Sequence, residues 1–151
     1  MIFDDDGKNE IADIVALKID GDKLIVHLYH CKFSKEATPG ARVEDLYAVC
    51  GQAQRSVYWK SHVGNMIQRL RYREDGYFKR HSVSRFQKGD LSTLADIARK
   101  APSLIPDFKV IIIQPGLSKA AITTNQLELL AATEMYLNET YAVDFGVIGS
   151  S

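Results

Sequence analysis

Glu10 to Lys32 reads EIADIVALKIDGDKLIVHLYHCK, two strands joined by a tight turn. Ile11, Val15, Leu17 and Ile19 alternate with Ala12, Ile14, Ala16 and Lys18. Leu24, Val26 and Leu28 alternate with Ile25, His27 and Tyr29. Period-two patterning rich in β-branched residues, broken by Asp20-Gly21-Asp22, predicts a β-hairpin. Asp13 shares parity with Val15, Leu17 and Ile19, while His30 and Lys32 share parity with Leu24, Val26 and Leu28. A turn at Gly21-Asp22 sets Asp13 opposite His30. A turn at Asp20-Gly21 slides the pairing but leaves the faces unchanged. Either way one apolar face ends in a carboxylate, an imidazole and an amine, which suits a site better than a solvated edge. Glu10 has the opposite parity and joins Asp13 only through a bulge at the strand start, so it is a secondary candidate.

Moving outward, Phe33 to Arg42 is a polar loop punctuated by Pro39-Gly40. A helix is expected from Val43 to Lys60, with Leu46, Cys50, Ala53 and Val57 facing the sheet. Gly51 inside it costs about 1 kcal/mol against Ala, and a close approach to the hairpin would account for it. Gln54 and Tyr58 fall one turn apart on this helix.

The order Asp13, His30-Cys31-Lys32, Gln54-x-x-x-Tyr58 resembles the PD-(D/E)XK nuclease superfamily, with its restriction-endonuclease-like fold. The Gln-Tyr spacing is similar to the Q-x-x-x-Y helix of the RecB-like branch. His30 stands where that family usually has a carboxylate. The resemblance implies an α/β layer sandwich with a mixed central sheet flanked by helices, and an αβββαβ core whose first helix has little room before residue 10. It implies hydrolysis of phosphodiester bonds with Mg²⁺ or Mn²⁺. Asp13, His30 and the Cys31 carbonyl would hold the metal, Lys32 would steer water or hold the phosphate, and Gln54 and Tyr58 would complete the catalytic set. An imidazole ligand would favour Mn²⁺ or a softer ion over Mg²⁺. The alternative is a nuclease-fold module that has lost the chemistry and binds nucleic acid or a partner protein; there His30 is a hydrogen-bonded core histidine. The Cys31 thiol, of opposite parity, reads as a small core residue. The HCK segment and the DLYAVCGQAQ helix also resemble nuclease-like domains of bacterial helicase or restriction-type proteins, so such a domain in the same or a partner chain is the implied neighbour.

Ahead of the hairpin, Met1-Ile2-Phe3 reads as a short strand and Asp4-Asp5-Asp6-Gly7 as a solvated turn whose acids could also attract a cation. Behind it, Ser61 to Tyr72 reads as a helix burying Val63, Met66, Ile67 and Leu70. Residues 77–88, YFKRHSVSRFQK, read as strand-like or irregular. A short helix from Leu91 to Lys100 takes Ser92 as its cap. FKVIIIQ, Phe108 to Gln114, is a buried central strand closed by Pro115-Gly116. Thr124 opens a last helix with apolar Leu127, Leu129, Leu130 and Ala131, and Thr140 to Ile148 is a last strand.

The net charge of zero hides a strong asymmetry. Residues 1–22 hold seven acids and two bases, residues 55–88 nine bases and two acids, and residues 120–151 four acids with no Lys or Arg. A basic middle interleaved with aromatics suits phosphate contact and base stacking, and Arg55, Arg69, Arg73, Lys79 and Arg80 are the expected nucleic-acid contacts. The expected polymer is DNA before RNA. With 151 residues the chain is expected to be one domain, either a small stand-alone protein or a piece of a longer chain. Two cysteines do not make a disulfide framework, and no run is long and apolar enough to span a bilayer, so a cytoplasmic protein without membrane contact is expected. P-loop, zinc-finger and G-x-S-x-G chemistries lack their motifs.

Overall fold

The computed structural model describes residues 1–34 and 38–150. Lys35, Glu36 and Ala37, inside the loop expected over 33–42, lie outside the described residues. The protein is α/β. Among the described residues six strands run β1 (Ile2–Asp4), β2 (Ile14–Asp20), β3 (Lys23–Cys31), β4 (Phe86–Lys88), β5 (Ile105–Ser118) and β6 (Asp144–Ser150). Four α-helices accompany them: α1 (Glu44–Arg55), α2 (Val63–His81), α3 (Leu91–Lys100) and α4 (Thr124–Tyr141). The sheet order is β4-β1-β2-β3-β5-β6. It is mixed: β1 pairs antiparallel with β2 and β4, whereas β5 and β6 run parallel.

The chain divides into two compact units. The first comprises Met1–Leu28 and Tyr58–Phe108, the second Tyr29–Val57 and Lys109–Ser151.

In the first unit the hairpin forms with Gly21-Asp22 between its strands, Gly21 taking a positive φ of 59°. Val15 and Leu17 of β2 and Leu24, Val26 and Leu28 of β3 are fully or almost fully buried, as the alternation demands. β2 starts at Ile14, so Asp13 belongs to the preceding loop. The acidic turn is not simply solvated: Asp5 is fully buried and accepts from the Ile11 amide at 2.7 Å. α2 is longer than apolar periodicity predicts and runs to His81, through residues expected to be irregular. Met66, Ile67 and Leu70 are buried as expected, but the next buried position is Glu74, whose carboxylate accepts from the Arg85 amide at 2.8 Å. Ser82 closes the helix in a left-handed conformation. Phe3 packs edge-on against Phe86 at 5.1 Å, joining β1 to β4. Asp90, not Ser92, caps α3, accepting from the Thr93 amide at 2.7 Å.

In the second unit Val49, Cys50 and Ala53 of α1, Val110 and Ile112 of β5, and Leu137 of α4 are buried. α1 ends at Arg55, and Ser56–Ser61 continues as a 3-10 helix. A Cβ at Gly51 would meet nothing within 4 Å, so no close approach explains this glycine. β5 passes through Pro115-Gly116 to Ser118. Its ladder with β6 is irregular between Ile113 and Ser118, and a proline without an amide proton is accommodated in such a break. α4 carries a full capping box between Thr123 and Gln126. Its buried positions are Gln126, Thr133 and Leu137, while Leu127 is 51% exposed. The Gln126 amide donates to the carbonyls of Gly40 and Arg42, at 2.8 and 3.0 Å, which is why a polar residue is buried there.

Candidate functional site

The candidate site in the first unit is built by the acidic turn and the basic face of α2. Asp6, Glu10 and Asp13 bring their carboxylate oxygens within 4.8 Å of one another. Glu10 accepts from the Gly7 amide at 2.9 Å, which folds the loop back on itself. Its carboxyl is raised above the usual range, chiefly by burial and then by the negative charges of Asp13 and Asp6, against the Gly7 bond and Arg73. Three like charges held this close favour a cation between them. The sequence pointed to Asp13 by strand parity, and to Glu10, of opposite parity, only as a secondary candidate through a bulge. The structure joins them through a loop and adds Asp6, which period-two reasoning had no means of selecting.

Asp6 also lines a cleft of about 690 Å³ with Lys8, Arg69, Tyr72, Arg73, Arg80 and Arg85 among its walls. Three of the arginines brace the acidic turn. The Arg73 guanidinium pairs with buried Asp5 and donates to the carbonyls of Lys8, at 3.0 Å, and Asp5, at 2.6 Å. Arg85 donates to the carbonyls of Asp4 and Asp6, at 2.9 and 3.0 Å. Arg69 donates to the Asn9 carbonyl and lies over the Trp59 ring at 5.9 Å. Arg69 and Arg73, expected as phosphate contacts, therefore carry a structural task first. The Asn9 carbonyl that orients Arg69 is neutral, whereas Arg85 also pairs with the Asp4 carboxylate at 3.7 Å, which partly offsets its charge. Arg80 and Lys79 are exposed, and Arg80 lines the cleft.

Burial dominates Asp5: it pushes the carboxyl up to about 6, and the Ile11 amide and the Arg73 charge only partly oppose it.

His30, Cys31, Lys32, Gln54 and Arg55 belong to the second unit. His30 is 2% exposed and shares β3's buried face, as its parity predicts. Its Nε2 lies 2.6 Å from Ser56 Oγ, which donates in turn to the Gln52 carbonyl at 3.2 Å. Burial, then the charge of Arg55, pushes the imidazole down to about 4. It is thus neutral near pH 7, and the nitrogen bound to Ser56 is already used. Lys32 is half-buried, and its amide donates to the Ile113 carbonyl at 3.0 Å. Gln54 donates from Nε2 to Thr133 Oγ1 at 3.3 Å, linking α1 to α4. Cys31 is exposed, which corrects its reading as a small core residue. Arg55 is exposed on the last turn of α1.

No protein-family model, no curated protein and no solved structure matches the chain.

Tyr58 lies in the first unit, on the 3-10 segment rather than on an α-helix. It is 52% exposed and stacks on His62 at 4.0 Å with the rings 12° apart. It is neither a core aromatic nor part of a regular α-helical turn.

Proposed function

We propose that this protein is a metal-dependent nuclease that binds the phosphate backbone of nucleic acid in the cleft of its first unit. The observation that carries the reading is the double membership of Asp6, which belongs both to the carboxylate triad and to the wall of the basic cleft. Three carboxylates at this separation offer the hard oxygen donors that suit Mg²⁺ or Mn²⁺. When bound, such an ion supplies charge neutralisation at a phosphate and lowers the pKa of water. The chain's own part is to hold the polyanion. Arg80 and Lys8 attract phosphates, and Arg69, fixed on the Asn9 carbonyl, presents preorganised positive charge at little ordering cost. The ligand set is Asp6, Glu10 and Asp13, the carboxylates whose oxygens converge, whereas His30 belongs to the second unit. The restriction-endonuclease-like layering is the finer fold reading, supported by adjacent β1, β2 and β3 followed by α1 and then β5 beside β3. DNA before RNA is carried over from the resemblance.

A second reading, a binding module without chemistry, is favoured by the burial of His30 against Ser56. One assay separates them. Wild type, Asp13→Asn and Glu10→Gln are incubated with single-stranded DNA, duplex DNA and RNA, under Mg²⁺ and under Mn²⁺. The nuclease reading expects wild-type cutting that both variants lose while binding persists. Binding without cutting under either metal leaves the module.

A further inference from the structure

We infer that the cleft of the first unit takes unpaired nucleotides, with a base stacked on Tyr72, in preference to duplex. This rests on the reading of the cleft as a nucleic-acid site and narrows it. Tyr72 lines the cleft and is 65% exposed. Gln68, one turn earlier on α2, donates to its hydroxyl at 3.2 Å and restrains the ring. Tyr77, in the same cleft, is already covered: the Arg85 guanidinium lies over its ring at 4.3 Å, and His81 tilts against it at 4.3 Å. Tyr72 is thus the cleft aromatic that keeps most of its surface for a ligand, and it sits among cations that would hold the flanking phosphates.

The base faces of a duplex are stacked on one another and closed to a side chain, whereas an unpaired base presents its face to an aromatic ring. Clefts of about 300–1,000 Å³ envelop ligands of small-molecule size. At about 690 Å³ this one has room for a nucleotide or two. Duplex binding would then use the phosphate-binding cations alone. Arg80 serves both forms, and Tyr72 serves only the unpaired one.

The test is fluorescence anisotropy with a labelled single-stranded oligonucleotide and with the duplex of the same sequence. No divalent metal is present, so cutting does not interfere. Wild type is compared with Tyr72→Ala, Tyr72→Phe and Arg80→Ala, each checked for an unchanged thermal midpoint. The wild type is expected to bind the single strand at least about tenfold more tightly, and Tyr72→Ala to lose about 5- to 150-fold on that probe alone, the range for one stacked base. Tyr72→Phe keeps the ring and the affinity. Equal or tighter duplex binding, or a Tyr72→Ala variant that holds the single strand like wild type, overturns the inference. If Arg80→Ala still weakens both probes in that case, the cleft remains a phosphate-binding site. If neither probe binds at low salt, both readings fall.

Discussion

Replacing His30 with Gln removes one titrating group from the core and leaves a side chain that can still meet Ser56. In the folded chain burial, followed by the charge of Arg55, pushes this imidazole from 6.5 down to about 4. The unfolded chain protonates it near its ordinary value. Between these limits the unfolded state holds the extra proton, so stability rises with pH. The contribution is fully present above about pH 6.5 and is lost as pH falls towards 4. At about 1.4 kcal/mol per pH unit, the interval from about pH 6.5 to 5 amounts to about 2 kcal/mol. Asp5 acts in the opposite sense. Its folded carboxyl is raised from 3.8 to about 6, so its share of stability grows as the solution is acidified through that range. The two nearly cancel in the wild-type profile, and the difference between wild type and variant isolates His30. Urea unfolding at about pH 7.5 and about pH 5 should show the wild-type advantage shrinking by about 2 kcal/mol at the lower pH. An advantage of equal size at both pH values would refute the account of a buried, neutral imidazole. The same pair of proteins locates the metal. Equal stabilisation by Mn²⁺ leaves the ion to the carboxylates, and stabilisation of wild type alone assigns it to His30.

Other outcomes follow from the same geometry. Arg73→Ala strands the buried Asp5 carboxylate and should cost about 3 kcal/mol or more, read as a lower thermal midpoint. Arg80→Ala should leave the midpoint alone and reduce the salt slope of nucleic-acid binding by about 1. Gly51→Ala should stabilise by about 1 kcal/mol, because the new methyl meets open space inside α1; a drop in the midpoint would mean that the glycine serves something other than packing.

The hairpin was legible because one face had to be apolar and a turn had to interrupt it, and those two demands are enough to fix side-chain parity. His30 shows both the reach and the limit of that reasoning. Parity put it on the buried face, and there it lies. Parity could not say whether a buried imidazole finds a metal or a hydroxyl, because Ser56 arrives from a helix end many residues away. α2 illustrates a different limit. Apolar spacing ends at Leu70, yet the helix continues to His81, held by Glu74 on the Arg85 amide and by Arg73 on the acidic turn. Polar tethers of this kind follow no period, so a sequence read by period alone breaks the helix too early. β5 and α4 fail for related reasons. A proline at a ladder irregularity does not stop a strand, and a glutamine that satisfies two loop carbonyls is buried in place of a leucine.

The site moved for the same reason. Read as a strand pattern, the three acids of residues 4–6 looked like solvent-facing turn residues, and Glu10 looked out of phase with Asp13. In the structure the chain before β2 is a loop, where parity has no meaning, and its shape is set by arginines from α2 and from the segment before β4. Asp5 is drawn inside by the Ile11 amide and Arg73, and its neighbour Asp6 is left exposed beside Glu10 and Asp13. The charge asymmetry of the sequence, acids in residues 1–22 and bases in residues 55–88, is thus partly spent on folding one segment onto the other. Asp6 and Arg80 stand where the two segments meet without cancelling each other. A carboxylate cluster and uncompensated cations side by side repel one another's natural ligands unless one ligand satisfies both. A phosphate accompanied by a divalent cation does so, which is the physical reason for reading this corner of the molecule as a phosphodiester site.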